Sequence, residues 1–138
     1  MKHLLETNVG AKRLQNKKIL LYGTCIEDRY PKILNKFLEE REPLHICLET
    51  YHMDQVGYKL ANIIKYSKIK DLTILTIDGS PHCFQLQVLG QDLIRHFKFD
   101  LKVTHWVIEK GELIEIPYNI ITIARHFHRV KKLAENTD

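Results

Sequence analysis

Hydrophobic and polar positions follow two different periods along this chain. Four short runs are rich in apolar and β-type residues: Lys18–Tyr22, Leu44–Glu49, Leu72–Ile77 and Leu101–Glu109. The first three are nearly continuous, as expected of strands covered on both faces of a parallel sheet. Between and after them apolar residues recur at helical spacing. Ile33, Leu34, Phe37 and Leu38 form one stripe, and Val56, Leu60, Ala61, Ile63 and Ile64 a second. Leu86, Leu89, Leu93, Ile94 and Phe97 form a third; Ile120, Ile121, Ala124, Phe127 and Leu133 form a fourth.

Strand and helix in alternation imply right-handed crossovers and an α/β fold with helices on both faces of the sheet. After the fourth run, Lys110-Gly111 leads directly into Glu112-Leu113-Ile114-Glu115-Ile116. A two-residue connection containing glycine reads as a hairpin, so the fifth strand runs antiparallel to the fourth. The predicted architecture is a three-layer sandwich of four parallel strands plus one antiparallel edge strand. It forms a single domain over residues 1–138, with 1–17 a basic N-terminal extension and 117–138 a C-terminal helix.

Composition narrows this picture. The chain has 138 residues, 44% hydrophobic and 28% charged, which suits one self-sufficient globular core and excludes a disordered chain. No apolar run is long enough to span a membrane, and the first residues lack the apolar core of a secretory signal. Residues 1–18 carry five Lys/Arg against one Glu, and 119–138 carry four against two acids. No aromatic residues interleave with these basic ends in an RNA-binding pattern and no zinc-finger spacing occurs, so they read as solvated ends rather than a nucleic-acid site. Three cysteines, an odd number set far apart, argue against a disulfide framework and for free thiols or metal ligands in a reducing, cytoplasmic setting.

In open α/β sheets ligands bind beyond the carboxyl ends of the strands. Gly23-Thr24-Cys25-Ile26-Glu27-Asp28-Arg29 follows the first run, Thr50-Tyr51-His52 the second and Asp78-Gly79-Ser80-Pro81-His82-Cys83 the third. Ser80 suits a helix N-cap and Pro81 the first helical position. Cys83 then falls in a first helical turn, where backbone N–H groups favour a thiolate. Cys25 has a similar setting, with Arg29 four residues on. Thiolate plus imidazole is a zinc ligand set, and His82 and His52 are the histidines nearest to it. Cys47 falls in mid-strand and reads as a small buried hydrophobe. His45 and His105 also lie within strands and read as packed.

No GxGxxG follows the first strand and no GxxxxGK[ST] occurs, so neither a dinucleotide fingerprint nor a P-loop is present. Arg29 also follows Cys25 too closely for the phosphate loop of a cysteine phosphatase. There is no CxxC and no ferredoxin spacing, so an iron–sulfur cluster would need thiolates shared between two subunits.

Cys25-Ile26-Glu27-Asp28-Arg29 resembles the Cys-x-Asp-x-Arg motif of the β-class carbonic anhydrases, with Glu27 in place of Asp. Gly79-Ser80-Pro81-His82-Cys83 is similar to their Gly-His-x-x-Cys motif, with Ser80 where the family has its ligand histidine. Leu101–Val107 with Trp106, then Gly111-Glu112-Leu113, is similar to their late strand and hairpin. The resemblance implies a zinc site with Cys25 and Cys83 as thiolate ligands and His82 or His52 as the third. It also implies Glu27 as gating acid, Arg29 as its partner, a homodimer, and carbon dioxide hydration by metal-bound hydroxide. The alternatives are a redox or iron–sulfur protein with Cys25 and Cys83 as thiolate ligands shared across a dimer, and a non-enzymatic module binding a small molecule or anion on the same crest.

Overall fold

The computed structural model describes residues 2–136. Strands β1 (Lys2–His3), β2 (Lys18–Gly23), β3 (Arg41–Ile46), β4 (Asp71–Ile77), β5 (Lys102–Glu109) and β6 (Glu112–Ile116) form one sheet in the order β1-β3-β2-β4-β5-β6. β1 to β5 are parallel and β6 is antiparallel to β5. The hairpin is the one expected: Lys110 and Gly111 both adopt positive φ, which matches the twist of the flanking strands.

The helices are α1 (Ile26–Arg29), α2 (Pro31–Phe37), α3 (Met53–Tyr66), α4 (Pro81–Phe97), α5 (Tyr118–Ala124) and α6 (Phe127–Glu135). Alternation along the strands sorts their side chains between two cores. Leu20, Tyr22, Leu75 and Ile108 pack with Ile26 of α1 and Leu34 of α2. Ile19, Leu21, Leu44, Ile46, Leu72 and Ile74 point the other way, onto Leu60 and Ile63 of α3 and Leu86, Leu89 and Leu93 of α4. Helices therefore cover both faces, as the continuous apolar runs of β2 and β4 require. At Gly90 a Cβ would stand 2.2 Å from Ile74 Cδ1, so this glycine sets how closely α4 lies on β4.

Four sequence expectations are corrected. The sheet has six strands because Lys2–His3 adds to the edge of β3. Residues 2–17 are part of the fold rather than an extension: two 3-10 turns, Leu4–Glu6 and Lys12–Leu14, bury Leu4 and Leu14 completely in the α3–α4 core. β3 lies three residues earlier than the Leu44–Glu49 run, because Lys18–Gly23 of β2 pairs with Arg41–Ile46. The segment 117–138 is not one helix within its described part. Arg125 donates to Gln91 Oε1 (2.7 Å) and Asp92 Oδ1 (2.8 Å), and His126 is extended, so α5 and α6 are separate. Thr137 and Asp138 lie outside the described residues.

Behind the crest, α4 is tied to the sheet by a polar network. Gln87, 5% exposed, donates through Nε2 to Thr76 Oγ1 and to the Trp106 carbonyl, both at 2.9 Å. Its Oε1 can only accept, so His105 Nδ1 carries the proton and donates to it at 2.7 Å. His105 Nε2 is buried without a partner. Histidine at position 105 is packed, as its place within a strand suggested, and burial lowers its pKa to about 4.

Burial of neutral His105 makes stability depend on pH. Between the folded value of about 4 and the unfolded value near 6.5 the unfolded chain binds more protons, so stability falls as pH falls through that window. The contribution is complete above about pH 6.5 and amounts to at most about 3 kcal/mol. Urea unfolding across this window should show a steeper loss for the native chain than for His105→Asn, which does not titrate. Parallel profiles would show that His105 protonation is not responsible.

Candidate thiol site at the crest

The connections of β2 and β4 leave the sheet in opposite directions. β2 leads through α1 and α2 to β3 on one side; β4 leads through α4 to β5 on the other. α1–α2 and α4 also lie on opposite faces. The carboxyl ends of these adjacent strands diverge and open a crevice, the usual ligand position in such sheets.

A cavity of about 200 Å³ occupies that crevice. β2 contributes Gly23 and then Thr24, Cys25 and Arg29; β3 contributes Ile46 and then Cys47 and Glu49. The β4–α4 turn contributes Ser80, His82 and Cys83. All three cysteines of the chain thus line one cavity, and all three are free thiols.

Each thiol is held by a different piece of local structure. Cys25 precedes α1, on the turn where β2 ends. Cys47 starts the turn after β3, its carbonyl accepting from the N–H groups of Thr50 and Tyr51. Cys83 lies in the first turn of α4, its N–H donating to Ser80 Oγ at 3.4 Å. Ser80 is the N-cap and Pro81 the first helical residue, as the Gly79-Ser80-Pro81 sequence implied.

Cys47 is the residue that sequence reasoning misplaced. Had the strand covered Leu44–Glu49, Cys47 would be one of its interior positions. With β3 ending at Ile46, it stands on the crest beside Cys25 and Cys83. The signal lay in Arg41-Glu42-Pro43: two charged residues and a proline open the strand near the sheet edge, where continuous burial is not required.

The electrostatics also differ from expectation. The Cys25 pKa is raised above that of an ordinary thiol, first by desolvation and then by Cys83, with a smaller push from Cys47. Arg29 opposes the rise without reversing it. Cys25 is therefore not a thiolate poised for nucleophilic attack, although it is exposed to solvent. Its thiol is one a cation would have to deprotonate.

Among the other sequence candidates, Arg29 and His82 line the cavity with the cysteines, while Glu27 and His52 do not. Glu27 accepts a hydrogen bond from Tyr22 Oη; burial first, and then this contact, raise the Tyr22 pKa. Arg29 lies over the ring of Tyr30, 5.5 Å from its centroid. The expected Glu27–Arg29 pair does not form; Glu27 is engaged by Tyr22 Oη instead. His52 precedes α3 and is exposed. Among the described residues, no three His, Cys, Asp or Glu side chains are already gathered closely enough to hold a metal ion.

Residues 11–138 match the family described as Rossmann-like domain, so the chain belongs to that family. This overturns the resemblance to the β-class carbonic anhydrases, whose motifs the crest turns match only in part. Searches of the curated proteins and of the solved structures returned no match. The β2–α1 turn does not fit a dinucleotide pyrophosphate. It has Gly23 alone, followed by Thr24, Cys25 and Ile26, and α1 is only four residues long. Among the described residues no helix is long and apolar enough to cross a membrane.

Proposed function

We propose that this protein binds a soft metal ion, zinc by preference, at the crest of its sheet through Cys25, Cys47 and Cys83. The observation that carries this reading is the meeting of all three cysteines on one cavity, from positions far apart in sequence. Three thiolates form a soft ligand set suited to zinc or a similar ion. His82 lines the same cavity and is the candidate fourth ligand.

Three thiolates around a divalent ion leave a net negative charge, which Arg29 on the cavity wall would offset. Binding requires the cysteine side chains to turn toward a common point. Cys25 and Cys47 stand on turns rather than within strands, where such rotation is least hindered. The metal must also displace thiol protons, and the raised Cys25 pKa makes affinity fall as the solution is acidified.

Titration of the reduced, metal-free chain with cobalt(II) tests it. We expect thiolate-to-cobalt charge-transfer absorption that saturates at one ion per chain and is bleached by zinc. The protein should also retain zinc through dialysis. A chain that gives no charge-transfer band and retains no zinc would overturn the proposal. A brown chromophore in protein purified without added metal would replace it with a shared iron–sulfur cluster.

A further inference from the structure

Away from the crest, two apolar surfaces of the same chain are uncovered. The first is one face of α6. Phe127, Val130 and Leu133 recur every three residues and are 90%, 41% and 54% exposed. The second is a groove of about 570 Å³ between α3 and α4. Its floor and walls include Gly57, Leu89 and Leu93, with Tyr58 and Phe97 exposed at its rim. At Gly57 a Cβ would stand 3.1 Å from Leu89 Cδ1, so the two helices approach closely beneath the groove.

Size and charge match. α6 has nine residues, and the α4 wall from Leu89 to Phe97 has nine, so both run for about 13 Å. The groove residues include Asp54 and Asp92 and no lysine or arginine. α6 carries Arg129, Lys131 and Lys132 against Glu135, which pairs with Lys131 at 2.9 Å and leaves Arg129 and Lys132 as its surplus charge. Asp92 already holds Arg125, the residue at which α5 ends, and that ion pair fixes where α6 departs from the body. Departing there, α6 stands outside its own groove, and its Phe127 is almost fully exposed.

We propose that the occupant of the groove is α6 of a second copy of this chain. A two-fold exchange covers both α6 faces and both grooves at once, the self-complementary contact of a symmetric dimer. Phe127 is the anchor, and Lys131 or Lys132 reaches Asp54 of the opposite copy.

Sedimentation equilibrium of the full chain, with carbodiimide coupling of an equal mixture of isotopically light and heavy chains, tests this. We expect a dimer, and Lys131 or Lys132 coupled to Asp54 in peptides that join one light and one heavy chain. Phe127→Asp should weaken dimerisation roughly 30-fold or more, the loss expected when a central aromatic anchor becomes charged. Tyr58→Asp, on the groove side, should act in the same direction. Both residues are largely exposed in the single chain, so unchanged circular dichroism is expected for both variants. A monomer at all concentrations overturns the proposal. So does a dimer indifferent to both variants, and so do couplings confined to chains of one isotope, which would place α6 in its own groove.

Discussion

Replacing Cys47 by serine is expected to lower metal affinity at least ~100-fold while leaving the fold intact. Loss of groups that only orient a ligand already costs about 10- to 100-fold, and loss of a ligand itself should cost no less. Cys25→Ser and Cys83→Ser should match it, since all three thiols line one cavity. His82→Ala should cost less, because a water molecule can take a fourth position. Cobalt(II) competition titrations would measure the series. Cys47 separates this reading from a two-thiolate site. If Cys47→Ser binds metal as the native chain does while Cys25→Ser and Cys83→Ser fail, the third ligand lies elsewhere. The side chain is half-buried in a turn and its replacement is nearly isosteric, so unfolding is not expected to mask the result.

The largest stability effect is expected at Gln87. Gln87→Leu keeps the approximate volume and removes both functions of the amide. His105 Nδ1–H loses its acceptor, and Thr76 Oγ1 and the Trp106 carbonyl lose a donor. Each buried polar group left unpaired costs roughly 1–3 kcal/mol, so a total of about 3 kcal/mol or more is expected. In a domain of this size that lowers Tm by about 10 °C. Changing His105 to phenylalanine at the same time removes one of the stranded partners. The double variant should then be more stable than the sum of the single losses by about 1 kcal/mol or more. Urea or thermal unfolding of the four chains would measure the coupling. Additive losses would mean that the hydrogen bond between the two side chains contributes little.

Where apolar runs coincide with full burial, the sequence placed the elements to within a residue. β2 and β4 sit centrally, with both faces covered, and each run misses only one terminal residue of its strand, Gly23 and Asp71. The β5–β6 hairpin was equally visible, because Lys110-Gly111 supplies a turn that only positive φ allows. β3 was displaced because it lies nearer the edge, where burial alternates and polar residues such as Arg41 and Glu42 are tolerated. That shift of three residues hid Cys47, so the crest was read as two thiols when it holds three. The break between α5 and α6 depends on Arg125 reaching Gln91 and Asp92, more than thirty residues away, which no local pattern records. The motif likeness has a simple source. Crest turns of many α/β sheets place small, polar and thiol residues after successive strands, and matching order in two turns does not define a family.

The pairing of β1 with β3 bears on the order of assembly. Lys2–His3 has no partner until Leu44 and His45 have been synthesised, and β3 must also lie against β2. The first strand in the sequence therefore cannot settle before β3 does. Until then Leu4 and Leu14 lack part of the surroundings that bury them in the α3–α4 core. A growing chain should bring β3 against β2 and then close Lys2–His3 over that edge, as a strap waits for its buckle.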